Sequence, residues 1–168
     1  DSVYTSPPTV SYEIILVNDY SGDGTAEEVA ARFPEGIFSE NPGPVGIAMG
    51  FNMAFVQANG RYILQLSADV LPEPGAIVRL YEFMEAHPDA GMVGAKILNP
   101  DGTLQPCGRH FPTLGSVIKD RFKVHLVSSA DYFHKPYRNY EVIEEVDEMP
   151  DACLLVRRRT YDQIGGLD

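Results

Sequence analysis

The chain has 168 residues, 24 carboxylates against 13 lysines plus arginines, and a formal charge of −11, the size of one domain that buries a core without disulfide or metal staples. With 44% apolar and 22% charged residues and no run approaching the roughly 18 apolar residues of a membrane span, it is not collagen-like, disordered, disulfide-scaffolded or membrane-integral. Two cysteines, Cys107 and Cys153, form no CxxC pair, and the first ten residues lack the basic and apolar regions of a signal peptide; reduced thiols in a cytoplasmic protein are expected.

Tyr12 to Asn18 is an aliphatic run without a period of two, as in a strand covered on both faces of a parallel sheet. It enters the turn-rich Asp19-Tyr20-Ser21-Gly22-Asp23-Gly24. Thr25 to Glu28 then has the spacing of a capping box, predicting a helix from Thr25 to about Phe33. After the Pro42–Val45 loop, Ile47, Ala48, Phe51, Phe55 and Ala58 recur at helical spacing up to the stop at Gly60. Tyr62 to Leu66 reads as a strand ending in Ser67-Ala68-Asp69. Ile77, Leu80, Tyr81 and Met84 share one face of a helix that His87-Pro88 closes.

Met92 to Leu98 reads as one strand, and Asn99-Pro100-Asp101-Gly102 is a strong turn whose return arm begins at Thr103–Gln105. Residues 113–140 read as a loop and helix excursion. Regular structure is expected again over Val142–Val146, then a strand over Ala152–Val156 and a helix over Arg157–Ile164 closed by Gly165-Gly166. Alternating strands and helices predict an α/β sheet, parallel at first and mixed later.

Asp19 and Asp69 each follow a strand directly, and in open α/β sheets ligands bind at the carboxyl ends of strands. A divalent cation is commonly held by one or two carboxylates plus substrate phosphates, a role open to Asp69, which could equally be a turn acid. Asp19, Ser21 and Asp23 form an Asp-x-Ser-x-Asp array, but no Glu follows at EF-hand spacing; Asp23 and Thr25 fit an Asx turn. Asn41 to Gly46 allows backbone to approach a ligand at a helix N-terminus without matching a P-loop or Gly-x-Gly-x-x-Gly. Asn52, between Phe51 and Phe55 in projection, is either a buried structural amide or a ligand contact.

Cys107 and His110 lack further partners for zinc. Arg157-Arg158-Arg159 reads as a solvated basic face, with diphosphate or lipid headgroups as the other possibility. Residues 1–118 hold 14 acids and 5 bases, residues 119–168 hold 10 and 8. Nucleic-acid binding is therefore not expected, and a phosphorylated ligand on the acidic part needs a metal or backbone N–H groups.

Taken in order, Val17-Asn-Asp-Tyr-Ser-Gly-Asp-Gly-Thr25, Asn41-Pro-Gly-Pro-Val-Gly46 and Gly60-Arg-Tyr62 leading to Leu66-Ser-Ala-Asp69 resemble family 2 glycosyltransferases of the GT-A fold. Asn99 to Pro106, Arg109 to Thr113, Asp151 to Arg158 and Gly165-Gly-Leu-Asp168 are similar to bacterial rhamnosyltransferase-like members, which build cell-wall and surface polysaccharides. The resemblance implies a Rossmann-like mixed sheet flanked by helices. It also implies inverting transfer of a sugar from a nucleotide-diphosphate donor to a glycan or polyprenyl-linked acceptor. Asp19 would meet the nucleobase, and Asp69 would bind Mg2+ or Mn2+ with the donor diphosphate. Ser21, Gly46 and Asn52 complete the expected nucleotide-sugar site.

Departures are visible. Ser67 and Ala68 stand where the family often has a second acid or Asn, and Asp151 replaces a small residue near where acceptors dock. The family's opening strand and its catalytic base, expected beyond Asp168, do not fall within the 168 residues, which leaves Asp151 as the nearest substitute acid. The expectation is one incomplete domain over residues 1–168, with 1–98 on the donor side and 99–168 on the acceptor side. It would work in the cytoplasm at the inner membrane face, where Lys119, Arg121, Lys123, Lys135 and Arg138 among aromatics suit peripheral association. A binding domain without turnover, or a sugar nucleotidyltransferase, are the other readings.

Overall fold

A computed structural model describes residue 3, residues 7–105, 107–108, 111 and 140–168. The elements in chain order are β1 (Ile15–Asn18), α1 (Thr25–Arg32), β2 (Ile37–Glu40), α2 (Ile47–Gln57), β3 (Tyr62–Leu66), α3 (Ala76–Ala86), β4 (Met92–Gly94), β5 (Ile97–Leu98), β6 (Leu104–Gln105), β7 (Cys153–Arg157) and α4 (Arg158–Ile164). They group into two compact units, one of residues 1–93 with 153–168 and one of residues 94–152.

In the first unit, β1 and β2 pair in parallel, Ile15 opposite Ile37 through Asn18 opposite Glu40. Joined by α1, they form the strand–helix–strand unit that the opening residues suggest. The expected capping box is displaced: Gly24, at φ 84°, takes the cap position, and Thr25 is already helical. The Asp23 carboxylate accepts the Thr25 N–H at 3.0 Å, the Asx-turn alternative. Two exposed acids, Glu27 and Glu28, lie in the first turn, where the helix dipole favours them. Strand β2 has no counterpart in the sequence reading; with four residues and two polar positions, it owes its strand state to the partner beside it.

The other ladder of this unit has β7 between β3 and β4. Strands β3 and β7 run antiparallel, Tyr62 opposite Arg157 and Leu66 opposite Cys153, so the chain returns from residue 153 to a sheet begun ninety residues earlier. The central place of β7 explains its unbroken apolar run. Cys153, Leu154 and Leu155 are all buried and, with Phe55 and Met84, make up the buried apolar side chains among the described residues.

The expected single strand over Met92–Leu98 divides. Met92–Gly94 joins β7, whereas Ile97–Leu98 pairs with β6, Leu98 opposite Leu104. A run of apolar residues carries no mark of where it changes partner. The hairpin turn is as the sequence indicates: Gly102 sits at φ 82°, and Asp101 accepts the Thr103 N–H at 2.9 Å. Val142–Val146 is irregular and mostly exposed rather than regular, since Glu144 and Glu145 interrupt the apolar positions. Both Cys107 and Cys153 are free, and burial pushes the Cys153 thiol up. The excursion expected over 113–140 lies almost entirely outside the described residues.

Candidate functional site

Strands β1 and β2 end side by side, so the residues that follow them, Asp19 and Asn41, lie next to each other. The Asp19 carboxylate is a clamp. Its Oδ1 accepts the Asn41 Nδ2–H at 3.0 Å and the Val45 N–H at 2.8 Å, and its Oδ2 accepts the Gly46 N–H at 2.9 Å. One side chain thus fastens both ends of the Pro42–Val45 loop. The Val45 N–H first, then the Asn41 amide and the Gly46 N–H, hold the Asp19 carboxyl below the ordinary carboxylate range.

Backbone geometry around the clamp is specialised. Gly46 caps α2 at φ 83° and ψ 167°, a region open essentially to glycine. Tyr20, directly after Asp19, adopts the left-handed φ of 63°. Asn18 is buried and its Oδ1 accepts the Ser21 N–H at 3.2 Å, which places Ser21 on the same turn. Asn41 is 1% exposed; its N–H continues the ladder to the Asn18 carbonyl, and among the described residues its Oδ1 has no hydrogen-bond partner.

Asp69 stands at the carboxyl end of β3, in a turn closed by the Val70 N–H donating to the Ser67 carbonyl at 3.1 Å. It is exposed, and among the described residues nothing donates to its carboxylate. No three His, Cys, Asp or Glu gather as metal ligands among the described residues. That donor set of one carboxylate fits an Mg2+ or Mn2+ ion taking its remaining ligands from phosphates and water, and does not fit zinc.

Asn52 spends most of its amide capacity within the protein. Its Nδ2–H donates to the Leu167 carbonyl at 2.8 Å, while its Oδ1 accepts the Leu167 N–H at 2.9 Å and the Tyr161 hydroxyl. Asp151 belongs to the second unit, exposed, two residues before β7.

Arg157 and Arg158, half-buried, depart from the expected solvated face, whereas Arg159 is exposed. Arg157 donates to the carbonyls of Ala90 (3.1 Å), Met84 (2.8 Å) and His87 (3.1 Å) and to the Tyr62 hydroxyl (2.8 Å). Arg158 bonds the carbonyls of Gly60 and Ala58, and Arg159 that of Pro88. These carbonyls lie in the last turn of α3 or just past the ends of α2 and α3, where a cation also meets the negative end of the helix dipole. The sequence shows the three charges; it does not show that two helices end beside them.

The Glycosyl transferase family 2 model matches residues 2–106. The N-acetylglucosaminyl-diphospho-decaprenol L-rhamnosyltransferase of Mycobacterium tuberculosis, in strains CDC 1551 and H37Rv alike, is 26% identical over 173 aligned residues, which cover 92% of this chain and 55% of the relative. An uncharacterized protein y4gI of Sinorhizobium fredii is 29% identical over 120 residues, 70% of this chain and 12% of its own length. Among solved structures, the mannosyltransferase PcManGT from Pyrobaculum calidifontis, in complex with GDP-Man and Mn2+, matches with a TM-score of 0.54 at 20% identity, over 92% of this chain and 37% of that one.

The fold is thus the α/β GT-A fold, mixed sheets with flanking helices and acids at strand ends. The chain belongs to glycosyl transferase family 2. It spans about half the length of the curated rhamnosyltransferase it matches.

Proposed function

We propose that this chain binds a nucleotide-diphosphate sugar and serves an inverting transfer of the sugar to a glycan or polyprenyl-linked acceptor in surface polysaccharide synthesis. The observation that carries the reading is the exposed carboxylate of Asp69 at a strand end, unpartnered among the described residues, in a chain of this family. The mycobacterial relative is named for rhamnosyl transfer to a diphospho-decaprenol acceptor, which supports the lipid-linked alternative.

Asp69 is the residue that would hold Mg2+ or Mn2+, and the ion, when bound, neutralises charge on the leaving nucleotide. Each carboxylate oxygen offers about two acceptor directions, and the Asp19 Oδ2 uses one of its two on Gly46. The other is directed to a base N–H, with Ser21 and the Gly46 backbone beside it. Pre-fixing the loop through Asp19 reduces the ordering cost of binding.

A donor side over residues 1–98, an acceptor side over 99–168 and an attachment to the membrane face through the basic residues of 113–140 belong to the same proposal. Among the described residues no helix is long and apolar enough to cross a membrane. Pelleting with anionic vesicles tests the attachment; a chain left in the supernatant counts against it.

Melting the chain with and without UDP, dTDP or GDP and Mn2+ tests the donor reading. Binding at a hundred times Kd adds about 2.7 kcal/mol of stability, and Asp69→Ala removes the shift. A shift that survives Asp69→Ala refutes the assigned metal ligand, and no shift with any nucleotide refutes the function.

A further inference from the structure

The tie between α2 and the Gly165–Leu167 turn is built more completely than the helix contact alone needs. Asn52 pairs its amide with both the N–H and the carbonyl of Leu167, as a neighbouring strand would, and takes the Tyr161 hydroxyl on its remaining lone pair. Oδ1 is saturated and one Nδ2–H is used. The turn is shaped to receive it. Gly165 ends α4 at φ 83°, Gly166 follows at φ 110°, and a Cβ on Gly166 would lie 3.1 Å from the Asn52 Oδ1 and 3.3 Å from the Tyr161 hydroxyl. Behind them the Phe55 and Tyr161 rings stack, and the Arg158 guanidinium covers Phe55.

The Asp19 clamp grips Val45 and Gly46, the two residues that lead into the same helix. Gly46 and Asn52 are six residues apart, about 9 Å along a helix axis, which is shorter than a nucleotide-diphosphate sugar. A donor that runs from the Asp19 loop along this helix is long enough to reach the turn that Asn52 holds.

We propose that Asn52 is a positioning residue: through Leu167 it fixes residues 166–168 beside the sugar end of the donor, so that its loss impairs transfer more than donor binding. This rests on the glycosyltransferase reading above. Asn52→Ala and Tyr161→Phe, which removes only the third bond, are compared with the unmutated protein by amide hydrogen exchange and by steady-state turnover of a nucleotide sugar with Mn2+. The Leu167 amide is expected to lose at least about tenfold of its protection in Asn52→Ala. Alongside it kcat falls at least about tenfold with the donor KM within about twofold, and Tyr161→Phe lies between.

Asn52→Asp supplies a signature that ordinary destabilisation lacks. A neutral carboxylic acid, like the amide, offers one donor and one acceptor, whereas a carboxylate offers only acceptors. Protection of Leu167 in this variant should return as pH falls through the titration of the new carboxyl. Unchanged Leu167 protection in Asn52→Ala, or lost protection with unaltered kcat, overturns the proposal. If the unmutated protein neither binds nor turns over a nucleotide sugar, the enzyme reading fails, while the exchange data still decide whether Asn52 holds the turn.

Discussion

Arg157→Ala probes the closure of the sheet on α3. The guanidinium makes four hydrogen bonds, three to carbonyls at or just beyond the C-terminus of α3 and one to Tyr62, whose ring it also faces at 5.1 Å. A net hydrogen bond contributes about 0.5–1.5 kcal/mol, and more when charged. Arg157 is only partly buried, so water recovers some of the freed carbonyls; taking the lower half of the range for four bonds, with a cation–π contact of about 0.5 kcal/mol, gives a loss of about 3 kcal/mol. At a urea dependence of about 2 kcal/mol per molar, the midpoint followed by far-ultraviolet circular dichroism falls by about 1.5 M. Arg157→Lys recovers at most about half, because an ammonium cannot span four acceptors in a planar fork. A midpoint within about 0.3 M of the unmutated protein, or full recovery by lysine, refutes the clamp.

Three further outcomes follow from local geometry. Because the folded-state pKa of Asp19 is depressed, its stabilising contribution is present above the ordinary value of 3.8 and is lost as pH falls through the lower folded value; a carboxyl NMR titration with a midpoint at or above 3.8 contradicts the clamp. Gly166→Ala, at φ 110° with Asn52 Oδ1 3.1 Å from the new Cβ, should lower stability by about 1–2 kcal/mol or more. Gly165→Asn, in open space at an ordinary left-handed φ of 83°, should cost under about 1 kcal/mol in the same urea titration; equal losses would remove the distinction. Gly50→Ala, inside α2 with Val17 Cγ1 at an ordinary 3.9 Å, should stabilise by about 0.5–1 kcal/mol, and a lowered melting temperature would refute that estimate.

Features governed by neighbours in the chain were legible in the sequence. The β1 run, the helical spacing of α2 and α3, the Asn99–Gly102 turn and the glycine stop of α4 depend on side-chain periodicity and backbone preference within a few residues. The ordered strand-end motifs likewise identified the family and its fold, and the positions of Asp19 and Asp69 after β1 and β3 could be read directly. Partners distant in sequence could not be read. The strand state of Ile37–Glu40 depends on β1, and the division of Met92–Leu98 depends on β6 and β7 offering different edges.

The same limit governed the site. That Asp19 spends three acceptor directions on a loop 22 to 27 residues away, that Asn52 is bound to a residue 115 positions later, and that three arginines bond carbonyls at the ends of two helices are long-range facts. Sequence alone determined which chemical groups the protein carries and which local structures display them. Only the tertiary structure decided which of those groups are used up on one another and which, like the Asp69 carboxylate, stay open among the described residues, because hydrogen-bonding capacity is finite and is assigned by neighbours in space.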